Sequence, residues 1–224
     1  MSIKTPVSLT LCAALLAAPL PAAAQFGGLM KKVPGLGGGG SSAPAADTGP
    51  FLDNALRSTK NVMIASAVLN AVLSTNDDMS TLKARVGAVE NAHDMKELGA
   101  HKAELQSDMD AIGRTRDLSE QELARYQALS AERKKLVAMA VGNLAIGMLR
   151  NVHLAQQAPG MVSSLSGNPQ MLGRLGEVKA AADLVGVQAR GLGNISGALP
   201  KVMGAMKLKM PAPAETSEPQ PITL

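Results

Sequence analysis

Residues 136–149 read Leu-Val-Ala-Met-Ala-Val-Gly-Asn-Leu-Ala-Ile-Gly-Met-Leu and hold no charged side chain, whereas residues 94–135 just before them carry 17 charges in 42 positions. A second uncharged run covers residues 61–76. Runs of 14 and 16 residues are shorter than the roughly 20 needed to cross a bilayer, so they read as helices buried against each other. Alternating strand patterns are missing from the middle of the chain, and β-branched and aromatic residues do not cluster. The fold expected is therefore all-α.

Working outward from that stretch, Ser119 and Glu122 have the spacing of a capping box, with Leu118 and Leu123 at the two positions of a hydrophobic staple. A helix is expected to start there and to run to about Gln157, ahead of Pro159-Gly160. On its other side, Leu82, Val86, Val89, Leu105, Met109 and Ile112 fall at helical spacings, with a phase change near Gly99 and a stop at Gly113. Two helices of about 35 residues each would be roughly 50 Å long. They read as an antiparallel hairpin turning at residues 113–118.

A first helix over residues 51–74, with its stripe of Leu52, Leu56, Thr59, Met63, Ser66, Leu69 and Leu73, would fold over the uncharged base of that hairpin. The expectation is an elongated antiparallel helical hairpin on a small helical-bundle base, with residues 94–135 as a solvated arm. Small residues Ala131, Ala138, Gly142 and Ala145 suggest a tight helix seam. A turn at residues 75–78 would join the first two helices. Short glycine-rich helices over 170–190 and 200–207, the first opened by Asn168-Pro169, are expected to cover the base within residues 159–210.

The ends read differently. Lys4, an apolar stretch from Pro6 to Leu20 and then Pro21-Ala22-Ala23-Ala24 have the order of a secretory signal peptide over residues 1–24. Leu11 before Cys12 and the apolar residues after it argue against a lipidated cysteine. Cys12 is the sole cysteine, so a chain cleaved after Ala24 has no disulfide, thiolate metal site or cysteine nucleophile. Residues 25–50 form a Gly/Pro/Ser-rich leader expected to be disordered, as is the proline-punctuated tail 211–224. A periplasmic or secreted location follows as an expectation.

Composition narrows function. The aromatic residues are Phe26, Phe51 and Tyr126, and tryptophan is absent. Stacking platforms for single-stranded nucleic acid need such rings, so no nucleic-acid partner is expected. A formal net charge of +4 gives weak attraction to anionic surfaces and no more. Nucleophile elbow, phosphate loop, His-Glu-x-x-His zinc motif and dinucleotide fingerprint are all missing from the sequence. Asp108 with Asp110, and Glu120 with Glu122, are carboxylate pairs of the kind found on any solvated helix.

Two groups of potential metal ligands stand out. His93, Glu97 and His101, preceded by Glu90, lie on one stripe if the helix is continuous, but the second half of a di-metal pattern is lacking. Met203, Met206 and Met210 are spaced to present thioethers to Cu(I), or to fill a core. Neither is assigned a metal, and no cofactor or catalytic residue is assigned. The reading is an exported, non-enzymatic helical protein of the bacterial envelope that meets a protein partner through residues 94–135. The alternative is a membrane-surface protein using the apolar base helices and the basic stretch 200–210; self-association into a homo-oligomer is compatible with either.

Overall fold

The computed structural model describes residues 47–74, 78–166, 172–214 and 216–224. They form α1 (Thr48–Leu73), α2 (Met79–Asn91), α3 (Met95–Gly99), α4 (Lys102–Arg114), a 3-10 turn (Thr115–Asp117), α5 (Glu120–Gln127), α6 (Ala131–Ser166), α7 (Leu172–Ser196) and α8 (Leu199–Ala205). No strand occurs among the described residues, and the protein is all-α. The signal peptide expected at 1–24, the expected leader up to residue 46, residues 75–77 of the expected turn and the Asn168-Pro169 start signal lie outside the described residues. Residues 48–50, expected in the leader, instead open α1, because the Asp47 carboxylate accepts from the Gly49 N–H at 3.0 Å and Thr48 is buried.

Helices α1, α6, α7 and α4 form a four-helix bundle in which each packs on the next and α4 closes back on α1. Contacts between Ser58 and Asn151 and between Asn61 and Asn143 show α1 and α6 to be antiparallel. Lys102 with Asp183 and Arg116 with Asn194 show α4 running parallel to α7. Helix α1 is buried on most of its circumference. Of the anticipated stripe, Thr59, Met63, Ser66, Leu69 and Leu73 are inside while Leu52 and Leu56 are half-buried, and Ala55, Val62, Ala65, Val68 and Val72 are buried as well. From residue 61 onward this helix carries no charge, as suits a helix in the middle of a core.

The expected hairpin takes another form. Its first long helix is broken twice, giving α2, α3 and α4, and its second is broken at residues 128–130. The breaks have local causes. Asp94 accepts from the N–H groups of Lys96 and Glu97 at 2.9 and 2.8 Å, and so starts α3. The Ser130 hydroxyl accepts from the Arg133 N–H at 3.3 Å, ahead of α6. With its phase reset at each break, the chain turns the apolar sides of α3 and α4 onto α1 and α7. Leu98, Leu105, Met109 and Ile112 are all at most 1% exposed. Residues 94–135 are therefore not a solvated arm: residues 95–112 pack into the wall of the bundle, and Tyr126 anchors the more exposed remainder.

Three further differences follow from packing. Helix α6 runs through Pro159 to Ser166; burial of Ala158 and Leu165 carries it past a ring that removes one backbone donor. Of the expected seam, Ala145 is buried, Ala138 half-buried and Ala131 exposed, and the tightest approaches fall at glycines that were not anticipated. A side chain at Gly147 would collide with Val62, and one at Gly191 would collide with Met109; Gly142 instead faces Pro211. Among the described residues α6 is also the one helix long and apolar enough to cross a membrane, with 56% of its most apolar stretch buried.

The tail expected to be disordered is docked. Asn143 donates its amide to the Gln220 carbonyl at 2.7 Å and accepts from the Gln220 N–H at 2.8 Å. Arg150 donates to the Ser217 carbonyl at 3.1 Å and pairs with Glu218 at 3.1 Å. Ile222 and Leu224 rest against the core. The prolines that suggested disorder prevent a helix, but they suit an extended segment whose backbone is satisfied by side chains.

Candidate interaction surface

The segment 94–135 has an inner and an outer face, and its charged residues divide between them by task. Asp94 caps α3, while the Glu97 carboxylate accepts from the His93 N–H at 2.6 Å. Ser119 and Glu122 form the anticipated capping box, with bonds of 3.3 and 2.8 Å. The Ser119 hydroxyl and N–H hold the Glu122 carboxyl below its ordinary range. Lys102 reaches Asp183 on α7.

Arg85 on α2 contacts Asp108 on α4 with Nη2 at 2.7 Å, and Asn70 of α1 donates to the same carboxylate at 2.8 Å. Burial alone would lower the Arg85 pKa; the bond to Asp108, then its charge and that of Glu104, raise it instead. Arg85 Nε lies 3.5 Å from Glu104, at ion-pair distance but outside hydrogen-bond geometry. A small pocket beside this cluster, lined by Met63, Val86 and His101 among others, has room for about one water molecule. Apart from Arg85 Nε, the polar groups of the Arg85–Asp108–Asn70 cluster are bonded to each other.

Arg125 and Tyr126 close the end of α1. Both donate to the Leu73 carbonyl, at 2.7 and 3.3 Å, replacing the bond that a helix C-terminus lacks. The guanidinium sits 5.0 Å from the Tyr126 ring centre, and burial pushes the Tyr126 hydroxyl pKa up.

What remains faces outward. Lys96, Asp110, Arg114, Asp117, Glu120 and Lys135 are exposed, on elements held from behind by Met95, Leu98, Leu105, Met109, Ile112 and Tyr126. The result is a surface of mixed sign on a rigid backing.

The residues singled out for chemistry come apart. His93 precedes α3, Glu97 is committed to backbone, and His101 opens α4 with its Nδ1 3.2 Å from Glu104, so the stripe with Glu90 is not continuous. No group of three His, Cys, Asp or Glu side chains converges as a metal site among the described residues. Asp108 is buried and tied to Arg85, whereas Asp110 is exposed; Glu122 serves the capping box, whereas Glu120 is exposed. Met203 and Met206 are buried core residues and Met210 is half-buried. Their burial turns the apolar side of the basic stretch 200–210 inward.

Sequence reading missed the polar centre of the bundle. The Ser58 hydroxyl donates to Asn151 at 3.1 Å, the Asn151 amide to Gln188 at 2.8 Å, and the Gln188 amide to Thr59 at 2.8 Å. All four residues are at most 2% exposed. The chain of bonds joins α1, α6 and α7 and satisfies its members, which favours one register over others.

No protein-family model matches the chain, and neither the curated proteins nor the solved structures contain a match.

Proposed function

We propose that this chain is an exported, non-enzymatic helical module of a bacterial envelope, periplasmic or secreted, that docks on a protein partner through the outer face of residues 94–135. The observation that supports the reading is the division just described: charges not needed for caps and helix contacts stand exposed on a buried apolar backing. Residues 94–135 contain nine acidic and eight basic side chains. A nucleic acid or anionic membrane is met by one sign of charge in excess, whereas interspersed signs suit charge matching with another protein. A fixed backing keeps the ordering cost of such docking low.

The test is site-specific photocrosslinking in intact cells from Lys96, Asp110 and Glu120. Expected is one discrete adduct from all three positions, lost when the two positions not carrying the crosslinker are charge-reversed (Lys96→Glu, Asp110→Lys or Glu120→Lys) while the melting temperature stays unchanged. Absence of any discrete adduct contradicts the proposal. Flotation of the purified protein with anionic vesicles would support the membrane-surface reading in its place.

A further inference from the structure

The way residues 211–224 lie on α6 resembles a bound ligand more than a loop. From Leu208 onward half-buried and exposed side chains largely alternate, with Pro213, Ser217, Pro219, Ile222 and Leu224 toward the protein and Ala212, Ala214, Glu218, Gln220 and Thr223 exposed. That is the period of an extended peptide against a surface. Asn143, only 3% exposed, bonds both the N–H and the carbonyl of residue 220, as a neighbouring strand would, and neither bond involves the Gln220 side chain. Arg150 reads what lies two to three residues earlier, a carbonyl at 217 and a carboxylate at 218. A turn closed by the Ser217 N–H to the Ala214 carbonyl at 3.0 Å and by the Ala214 N–H to the Ser217 hydroxyl at 2.9 Å presents the segment.

We propose that the face of α6 bearing Asn143 and Arg150 is a recognition groove for an extended peptide of the pattern acidic-Pro-X-Pro-aliphatic-x-aliphatic, occupied in this molecule by its own residues 218–224. X is any residue with a backbone N–H, and therefore any except proline. Such a groove binds by main-chain pairing with pockets for alternate side chains, the logic of strand addition applied to a helix face. The tethered segment acts as an internal competitor at an effective concentration in the millimolar range, so a partner segment binds when the internal one is released. The groove is separate from residues 94–135 and does not depend on the function proposed for them.

The experiment uses the full-length chain and a fluorescein-labelled synthetic peptide of residues 211–224. Gln220→Pro in the protein removes the donor to Asn143 and should release the internal segment, seen as faster hydrogen exchange at residues 216–218 and 222–224. The released protein should bind the peptide saturably, with apparent affinity about tenfold or more above that of the unsubstituted chain, whose own segment competes. A peptide with Gln220→Ala should bind as well as the native one, and a peptide with Gln220→Pro should not. Adding Arg150→Gln to the released protein should weaken binding about fivefold or more. The proposal is overturned if the released protein fails to bind, if Gln220→Pro leaves the segment protected, or if the alanine peptide binds as poorly as the proline one.

Discussion

Residues 136–149 and residues 94–135 belong to the same core but contribute to it in opposite ways. The first stretch is uncharged and lies between α1, α7 and the segment 211–224, with Val137, Ala140, Val141 and Leu144 fully buried. The second is dense in charge, yet Leu98, Leu105, Met109 and Ile112 are buried as deeply. The comparison teaches that charge density reports how many sides of a helix meet water, not whether the helix leaves the body of the protein. One apolar side is enough to anchor a helix, and α4 has one.

The largest expected effect separates the two regions at their polar residues. Gln188→Leu leaves the Asn151 amide and the Thr59 hydroxyl without their partner inside the core, each costing about 1–3 kcal/mol. Urea denaturation should show a loss of about 2–6 kcal/mol in all, whereas Gln106→Leu on the exposed side of α4 should stay within about 0.5 kcal/mol. Equal effects at the two sites would erase the distinction between interior and wall.

Leu105→Ala tests the wall itself. A buried leucine reduced to alanine loses about 2–5 kcal/mol, and the 1% exposure of Leu105 places it in that range. On a solvated two-helix arm the same change would cost about 1 kcal/mol or less.

How much of this was legible in the sequence depends on which physical signal carried it. The buried set Leu82, Val86, Val89, Leu105, Met109 and Ile112 could be read from spacing because burial of one helix face imposes that spacing, whatever the helix packs on. The partner could not be read, since the same stripe serves an antiparallel hairpin or a contact with α7. The breaks were partly legible. Asp94 and Glu97 have the spacing of Ser119 and Glu122, and a side-chain cap on the N3 backbone starts a helix at both; giving weight to one and not the other merged α2 with α3. The docked segment 211–224 was hidden because proline content predicts an absence of helix and says nothing of whether side chains such as Asn143 and Arg150 pair with the extended backbone. The surface proposed for docking inherits both outcomes: its residues were identified, but its shape required the fold.

Smaller effects sharpen the comparison at the edges. Lys207, where α8 passes into the extended segment, has φ 59°, with the Leu208 N–H bonded to the Met203 carbonyl at 2.9 Å in the manner of a Schellman cap. Glycine takes this conformation without the Cβ penalty, so Lys207→Gly should raise stability by about 0.5–1 kcal/mol, measured by thermal denaturation. A loss would mean that the lysine side chain contributes more than its backbone costs.

The smallest effect concerns α2, which lies outside the bundle proper. Ser80 and Thr81 bond the Asp78 carboxylate that caps this helix, the Thr81 side chain first, and hold its pKa down from 3.8 to about 2. Because the folded value is the lower one, the contribution is fully present above pH 3.8 and is lost as pH falls through about 2. A carbonyl-carbon NMR titration should place the Asp78 midpoint well below that of an unstructured aspartate, and Asp78→Asn should abolish this pH dependence of exchange at the Ser80 and Thr81 amides. An ordinary midpoint would remove the cap from the account.

The central claim is that residues 95–112 pack into the wall of the bundle, and native-state hydrogen exchange reads it directly. Amides of residues 105–112 should be protected to within about tenfold of those of residues 140–148, as expected for elements that open together. Exchange in 105–112 faster by several orders of magnitude, with 140–148 still protected, would show an arm standing in solvent and contradict the account.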